Sequence, residues 1–453
     1  MAASLRIALI AMSGVRACDP ELMALGLTLP GFVERGKLIA SLPSLGLLTL
    51  AGLTPKHHQQ RYIEVTALGP NAGEQTLLDL PTDVDLVAIS SLSAQIHDAY
   101  RVAEHYIQQG ITVVMGGLHV TSVPHEAIAR GITAVVGEGE PVWLDLLSDA
   151  EQGQLKPLYD ARGRSFDLAR APLPAIELLD LSRYNRLTVQ TSRGCPWQCS
   201  FCASSILLTR HYKQKPIERV LAEVDAICAR WPNAFIELAD DNAFVNARYW
   251  KALLPALAER HVRWFAESDL SIHEDPELLD LMRRAGCAQV LIGFESPNAA
   301  GLAGLELRRD WKRRHVDSYR QAVQTIQSHG ITVNACFVIG LDGQGPEIFD
   351  QVRAFVADVA PYDVQITLPT AFPGTPYYQQ MLQAGRLIEP EAWERCTLFD
   401  LNVEPTEMST DELRAGFKRL VVDLYSQDAT DQRRQAFRRQ RQTGGVSPKE
   451  QGS

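Results

Sequence analysis

The stretch that decides the fold spans residues 187–202 and reads LTVQTSRGCPWQCSFC. Its apolar start is typical of a buried parallel strand. The strand leads directly into Cys195, Cys199 and Cys202, which have the spacing CxxxCxxC. Functional side chains that directly follow a strand are typical of the active-site edge of a β/α barrel. We therefore expect this cysteine loop to lie at such an edge.

Three thiolates in one loop indicate a metal centre with an open position. A structural zinc site needs four protein ligands, and no fourth Cys or His lies near the loop. Iron–sulfur clusters are held by cysteine thiolates, normally four for a 4Fe–4S cluster. With three, one iron is left to bind a substrate or cofactor. The alternatives are an incomplete zinc site and three unrelated core cysteines.

The chain around and after the loop alternates between strand and helix patterns. The predicted strands are residues 187–191, 235–239, 262–266, 288–293, 333–339 and 364–368. The predicted helices are residues 217–230, 247–260, 276–285, 311–329 and 346–360. These units predict a partial (β/α)6 barrel of the TIM type over residues 186–385, with its functional residues at the carboxyl ends of the strands.

The first part of the chain predicts a separate α/β domain over residues 1–160. Its apolar runs cover residues 6–11, 62–66, 86–90, 112–115 and 134–136, with helical patterns between them. This alternation indicates a doubly wound, Rossmann-like parallel sheet. Ligands of such sheets bind beyond the carboxyl ends of the strands.

The remaining segments connect or follow these domains. Residues 161–185 form a linker rich in Gly, Pro and charge, and residues 386–435 predict a small helical C-terminal region. Thr410 and Glu412, at its main helix, are not in capping-box register. Residues 436–453 are basic and then polar, and we expect a disordered tail there. The alternative for this tail is a surface that docks a partner.

Composition narrows the class of protein. The chain has 453 residues, 46% of them hydrophobic and 22% charged, with a net charge of −10. This balance gives no electrostatic case for nucleic acid or an anionic membrane. No apolar run reaches the roughly 18 residues of a spanning helix, and the N-terminus lacks a signal-peptide cleavage site. We expect a cytoplasmic protein in which Cys228, Cys287, Cys336 and Cys396 are core residues.

The cysteine motif, with Phe201 before its last cysteine, resembles that of the radical SAM superfamily. The resemblance implies that a 4Fe–4S cluster on Cys195, Cys199 and Cys202 chelates S-adenosylmethionine (SAM) through its open iron. It implies that an electron from the cluster then releases a 5′-deoxyadenosyl radical. It also implies an electron donor, such as flavodoxin or ferredoxin, as a partner.

The other strand ends resemble the same superfamily in order. The residues implied to bind SAM are Phe201, Asp240, Asp241, Asn242, Ser268, Glu295, Ser296 and Gly340. In this resemblance Glu295 binds the ribose, residues 240–242 bind the SAM ammonium, and Gly340 allows close approach to adenine. The second strand departs from the superfamily, since it carries Asp-Asp-Asn in place of Gly-Gly-Glu. The alternative for residues 240–242 is an acidic turn that caps the next helix.

Segments of the first domain resemble the cobalamin-binding domain of one large radical SAM branch. The residues implied to bind cobalamin are Ser90, Ser91, Gly116, Gly117, His119, Gly137 and Glu138. Classical cobalamin methyltransferases carry a DxHxxG loop after the first strand, whereas residues 12–18 contain no histidine. We therefore expect a cobalt without a histidine lower ligand. The alternatives are a structural His119 and a domain that has lost cobalamin.

Three functions follow from this reading. The first is a cobalamin-dependent methyltransferase that acts on an unactivated carbon of a small-molecule or lipid substrate. The second uses the same cofactors without methyl transfer, for oxidative cyclisation or rearrangement. The third is a non-catalytic corrinoid or redox-sensing protein, which the intact cysteines disfavour. A methylthiotransferase is disfavoured because the chain has no second cysteine triad.

Overall fold

The computed structural model describes residues 4–15, 17–25, 42–66, 68, 73–207, 211–307 and 310–443. Its strands are β1 (Arg6–Ser13), β2 (Gln59–Thr66), β3 (Leu86–Ser90), β4 (Thr112–Gly116), β5 (Thr133–Val136), β6 (Leu158–Asp160), β7 (Leu187–Val189), β8 (Ser192–Arg193), β9 (Lys213–Gln214), β10 (Phe235–Leu238), β11 (Arg263–Ser268), β12 (Cys287–Glu295), β13 (Thr332–Val338) and β14 (Asp363–Thr367). Its helices are α1 (Pro20–Ala24), α2 (Leu45–Leu53), α3 (Gly73–Leu78), α4 (Ile96–Gln108), α5 (Leu118–Ser122), α6 (Pro124–Ala129), α7 (Glu140–Glu151), α8 (Ala203–Leu207), α9 (Ile217–Arg230), α10 (Ala247–Ala258), α11 (Pro276–Arg284), α12 (Trp311–Arg314), α13 (Tyr319–Ser328), α14 (Ile348–Val359), α15 (Pro376–Gln383), α16 (Thr410–Tyr425) and α17 (Gln427–Thr443).

The first sheet is parallel throughout, in the order β2-β1-β3-β4-β5-β6. Ile7, Leu9 and Ile10 of β1 are at most 1% exposed, because helices cover both faces of the sheet. Strand order reverses between β1 and β3, where ligands of open α/β sheets bind. The doubly wound prediction is confirmed. The short strand β6 was not predicted, since three residues carry no readable period.

The second sheet is also parallel and runs in the order β7-β10-β11-β12-β13-β14. Each of these strands pairs with the next one along the chain, as in a barrel that is not closed. Trp250, Trp264 and Phe294 are fully buried between the sheet and the surrounding helices. The predicted partial barrel is confirmed. The carboxyl ends of its strands meet at one edge, and the cysteine loop follows β7 at that edge.

The helix predicted over residues 311–329 is interrupted. α12 ends at Arg314, a short 3-10 turn covers Val316–Ser318, and α13 follows. Glu306 fixes the start of α12, because its carboxylate accepts from the backbone N–H of Trp311 at 2.7 Å and of Lys312 at 3.2 Å. α13 instead packs on the barrel through residues such as Tyr319. The two pieces therefore have different neighbours.

The C-terminal region differs from its prediction at both ends. α16 starts with a capping box one residue earlier than Thr410: Ser409 Oγ accepts from the Glu412 N–H at 3.2 Å, and the Glu412 carboxylate accepts from the Ser409 N–H at 2.8 Å. α17 continues to Thr443, so residues 436–443 of the expected disordered tail are helical. Phe437 explains this order, since it is buried with its ring 5.2 Å from that of Tyr362. Residues 444–453 lie outside the described part.

Candidate active site

The cysteine loop is fixed by backbone pairing with a distant segment. The Ser200 N–H donates to the Leu305 carbonyl at 2.8 Å, and the Leu307 N–H donates to the Gln198 carbonyl at 2.9 Å. Cys199 forms an isolated antiparallel bridge with Glu306 between these two bonds. The loop therefore holds its cysteines on a small rigid frame instead of a free turn.

The three thiols line one cavity of about 540 Å³ at the carboxyl ends of the barrel strands. None of them is in a disulfide. In the described part of the chain, three ligand atoms lie within 4.8 Å of one another only at His57, His58 and Glu151. The three cysteine sulfurs do not form such a group in this structure.

The thiols need a metal to become ligands. Burial raises the pKa of both Cys195 and Cys199 to about 12, and in the case of Cys199 the Lys312 ammonium opposes the rise. Such thiols are protonated at neutral pH, and metal binding displaces the proton. A donor set of three thiols with an open cavity in front fits a 4Fe–4S cluster with one free iron.

The predicted SAM-binding residues divide into two groups. Those that line the cavity with the cysteines are Phe201, Asp241, Asn242, Ser268 and Glu295. Asp241 accepts from the Gly194 N–H at 2.9 Å and from Ser204 Oγ. Asn242 donates to Asp269 at 2.8 Å, and Asp269 accepts from the Trp197 indole at 2.6 Å. A chain of polar contacts therefore joins the ends of β10 and β11 to the cysteine loop.

Asp240, Ser296 and Gly340 do not line the cavity. Asp240 is 3% exposed and accepts from the N–H groups of Thr191 at 2.7 Å and Ser192 at 2.8 Å, so it fixes the chain before the cysteines. Ser296 is fully buried beside Asn298.

Gly340 has a different neighbour from the one expected. It has φ +102°, and a Cβ there would lie 2.6 Å from Leu413 Cδ2. Its close approach is to α16 of the C-terminal region, which the strand-end comparison could not reveal.

Glu295 forms a buried ion pair with Lys312, which was not predicted. The two side chains are 9% and 16% exposed. Gly293 makes room for the pair, since a Cβ there would lie 2.5 Å from the Glu295 carboxylate. Lys312 stands inside a basic run, which by itself is typical of a solvated surface. No sequence signal distinguishes it from its exposed neighbours.

Two further residues on the cavity wall were not among the predicted ligands. Glu267 is open to the cavity from β11, and its position inside the barrel raises the pKa of its carboxyl to about 8, with Glu237 and Asp241 adding to the rise. Cys336, which was predicted to be a core residue, instead faces the cavity from β13. Both residues alternate with buried residues along their strands. This alternation is visible in the sequence and could have predicted that they face the barrel interior.

A second cavity of about 390 Å³ lies at the carboxyl edge of the first sheet. Ser90, Ser91, Gly116, Gly117, Gly137 and Glu138, all predicted for cobalamin, line it. Among the described residues no histidine lines it. Three glycines at the ends of β4 and β5 leave room for a flat, bulky ligand.

His119 is the exception among the predicted cobalamin residues. It is fully buried and does not line the second cavity. Its Nδ1 lies 3.1 Å from Ser93 Oγ, and its Nε2 lies 3.5 Å from the Glu126 carboxylate. Its ring packs edge-on against Trp393 at 5.3 Å. This position favours the structural alternative for His119, and its part in cobalamin binding stays a prediction.

The two cavities share a wall. Leu92, Leu118, Ser204 and Asp241 line both of them. The domains are also tied by charge beside this wall: Arg193 donates to Glu138 at 2.9 Å and also to Glu140, while Lys213 donates to both Glu138 oxygens at 2.7 Å. Glu138 thus acts as a domain contact as well as a lining residue.

Comparisons with known families agree with this two-part site. Residues 189–356 match the family model of the radical SAM superfamily, and residues 36–147 match that of the B12 binding domain. The chain therefore carries a radical SAM domain preceded by a B12-binding domain. Within the described ranges, no helix combines the length and apolar character needed to cross a membrane.

The curated relatives include methylating enzymes and cyclases. The chain is 28% identical to bacteriochlorophyllide d C-12(1)-methyltransferase of Chlorobaculum tepidum, over 86% of this chain and 84% of the relative. It is 26% identical to hopanoid C-2 methylase of Rhodopseudomonas palustris, over 78% of this chain and 66% of the relative. It is 24% identical to anaerobic magnesium-protoporphyrin IX monomethyl ester cyclase of Rubrivivax gelatinosus, over 85% of this chain and 74% of the relative.

One solved structure shares the whole architecture. The radical SAM methyltransferase TsrM from Kitasatospora setae, solved with cobalamin and a 4Fe–4S cluster, matches with a TM-score of 0.65 at 16% identity. The match covers 93% of this chain and 89% of TsrM. It shows that both domains and their order are those of a known fold.

Proposed function

We propose that this radical SAM enzyme, whose barrel follows a B12-binding domain, is a cobalamin-dependent methyltransferase acting on an unactivated carbon of a small-molecule or lipid substrate. The observation that carries the proposal is the wall shared by the two cavities. Leu92, Leu118, Ser204 and Asp241 separate a site suited to a corrinoid from a site suited to a cluster and SAM. Groups bound on the two sides would meet at one substrate.

The cofactors would supply a 5′-deoxyadenosyl radical on one side of this wall and a transferable methyl group on the other. The chain's own residues bind and position them. Cys195, Cys199 and Cys202 would hold the cluster, and Glu295 and Asn242 offer polar groups to SAM. The three cysteines are partly buried on the wall of this cavity.

The curated relatives support methylation and suggest a substrate class. Those named as methylating enzymes include one for a bacteriochlorophyllide and one for a hopanoid. Both are large, mostly apolar ring systems. We propose a substrate of that kind, with a one-electron donor such as flavodoxin or ferredoxin as partner. Free cysteines throughout the chain support a reducing, cytoplasmic setting.

The test is anaerobic turnover of the reconstituted enzyme, loaded with cluster and cobalamin, in a native metabolite extract with methyl-deuterated SAM. Methylation predicts S-adenosylhomocysteine and 5′-deoxyadenosine in comparable amounts, with the deuterated methyl in one new product. A Cys199→Ala variant should yield neither nucleoside, while Cys228→Ala, on the outer helix α9, should match the wild type.

Oxidative cyclisation is the second candidate, because a cyclase is also among the relatives. It predicts 5′-deoxyadenosine without S-adenosylhomocysteine and no deuterium in the product. Protein that binds cobalamin but cleaves no SAM under any reductant would instead favour the corrinoid-sensor alternative.

A further inference from the structure

We propose that Leu398 determines substrate specificity, with its apolar side chain in contact with the ring system of the substrate. The inference rests on the proposed function and deepens it, since it names a residue that selects for an apolar ring. Four observations carry it: the backbone conformation of Leu398, its place on the cavity wall, its attachment to both domains and its position outside the two family matches.

The backbone of Leu398 lies in the left-handed region, with φ +70°. This conformation is a genuine outlier for a bulky side chain, and such strained residues cluster at active sites and ligand clamps. A tight turn holds it, because Thr397 Oγ accepts from the N–H groups of Phe399 at 3.1 Å and Asp400 at 2.9 Å. Glycine or asparagine would adopt the same turn at a lower cost. A leucine here is therefore explained by its side chain and not by its backbone.

The side chain of Leu398 lines the cavity that the three cysteines also line, while its neighbours in the sequence are buried. Thr397 is fully buried and Phe399 is 3% exposed, whereas Leu398 is half-buried. Other apolar side chains on this lining include Leu92 and Leu118 of the wall shared by the two cavities. Apolar side chains of this kind make up most of the lining of small-molecule sites. Leu398 is thus placed on the apolar part of the cavity, next to the site where the two cofactors would meet a substrate.

Leu398 is held between the two domains. The Leu368 N–H, directly after β14, donates to the Leu398 carbonyl at 2.7 Å. Two residues further on, the Asp400 carboxylate accepts from the backbone N–H groups of Cys18 at 2.7 Å and Asp19 at 3.0 Å, which follow β1 of the first domain. A backbone anchored on both domains fixes where the side chain meets a ligand.

The family matches do not account for Leu398. They cover residues 189–356 and 36–147, and all of the predicted cluster, SAM and cobalamin residues lie inside these ranges, whereas Leu398 lies beyond both. The relatives are named for different ring systems, among them a bacteriochlorophyllide and a hopanoid. A residue that lines the cofactor cavity from outside the matched ranges is therefore suited to distinguish one substrate from another.

The experiment compares Leu398→Asn with the wild type. Asparagine is similar in size to leucine, tolerates the left-handed conformation and ends in a polar amide. The matched control is Glu391→Asn, because Glu391 is an exposed residue at φ +67° that does not line the cavity. The full chain, loaded with cluster and cobalamin, is titrated with two probes in the same dilute detergent: protoporphyrin IX, a flat conjugated ring system, and diplopterol, a saturated one. The melting temperature of each variant is measured as well.

We expect Leu398→Asn to bind the probe that the wild type prefers about tenfold more weakly, because the amide loses water against an apolar ring without gaining a partner. Its melting temperature should equal or exceed that of the wild type, because asparagine relieves the backbone strain. The control should keep the affinity of the wild type. A residue that only packs would give the reverse, a lower melting temperature with unchanged affinity for both probes, and that result overturns the proposal. A wild type that binds neither probe overturns it as well.

Turnover separates this proposal from the proposed function. Without extract, cleavage of SAM to 5′-deoxyadenosine with dithionite should be the same in Leu398→Asn and the wild type, since no predicted cofactor residue is changed. With extract, the deuterated product of the variant should fall by about the same factor as its affinity for the probe. If the wild type forms no deuterated product, the proposed function fails, while the probe affinities still decide the role of Leu398. If the variant loses SAM cleavage without extract, Leu398 acts on the cofactors and the proposal is wrong.

Discussion

Lys312 illustrates how one side chain can serve both the fold and the site. It neutralises Glu295 inside the cavity and faces the thiol of Cys199, whose pKa it holds lower than burial alone would. Glu295 itself adopts φ +61°, a left-handed conformation that is uncommon for residues other than glycine. The pair therefore fixes a strained strand end at the point where the ribose of SAM was predicted to bind.

Lys312→Met should leave the Glu295 carboxylate buried without its partner. We expect the free energy of unfolding to fall by about 3 kcal/mol, since breaking a buried pair from one side costs more than the pair contributes. Adding Glu295→Gln should recover much of that loss. Urea unfolding of the two single variants and the double variant measures the coupling. Additive losses would show that the two charges do not interact in solution.

His119 allows a test that depends on pH. Burial lowers the pKa of His119 from 6.5 to about 4, so the folded protein keeps the ring neutral. Below pH 6.5 the unfolded chain binds a proton that the folded chain does not, so stability is present above pH 6.5 and is lost as pH falls toward 4. The complete loss amounts to about 3 kcal/mol.

His119→Gln should be less stable than the wild type at pH 7.5 and should lose less stability between pH 7.5 and pH 5. Chemical unfolding at the two pH values measures both effects. Cobalamin affinity should be unchanged, because His119 does not line the second cavity. A large drop in cobalamin affinity, with the free energy of unfolding unchanged, would show that His119 contacts the cofactor.

At the scale of elements, the close approach of Gly340 to α16 joins the barrel to the C-terminal region. Gly340→Ala would place a methyl group against Leu413 at a positive φ. We expect a loss of more than about 1 kcal/mol in stability, with little change in the KM for SAM. Thermal unfolding and SAM-cleavage kinetics test this, and Gly385→Ala, a positive-φ glycine with open space around it, controls for backbone strain. A raised KM at unchanged stability would support the predicted adenine contact.

The positions of the strands and helices could largely be predicted from the sequence, whereas the contacts between these elements could not. Apolar runs located β1, β3 and most barrel strands to within a residue or two, because burial on both faces leaves a continuous signal. The break after α12 left no such signal, because the residues on both sides of it fit one continuous helical pattern. Most of the predicted cofactor residues line one of the two cavities, because they stand at the ends of strands. Asp240 and His119 do not line them, and the sequence could not show this, because a polar residue at such a position looks the same whether it faces a cavity or the protein interior.

At the scale of the whole molecule, the contact between the two domains sets how their two cavities are aligned. The substrate must meet both cavities at their shared wall, so a small rotation between the domains would misalign the two sites. Arg193 is part of this contact between the domains. It lies two residues before Cys195 and donates to Glu138 and Glu140 of the first domain. Its side chain is 16% exposed, and those of both glutamates are 6% exposed.

Arg193→Met should therefore uncouple the domains without removing either site. We expect the loss of a buried pair to cost about 3 kcal/mol, and a calorimetric transition shared by both domains to split into two. Cobalamin retention and methyl transfer should fall, while iron content stays that of the wild type, because the cysteines are untouched. Lys251→Met, which removes half-exposed ion pairs to Asp275 and Glu277 on the barrel surface, should cost less than about 1 kcal/mol and leave both activities intact. A variant that keeps one transition and full methyl transfer would mean that the domains are aligned by apolar contact along Leu92 and Leu118 and not by charge.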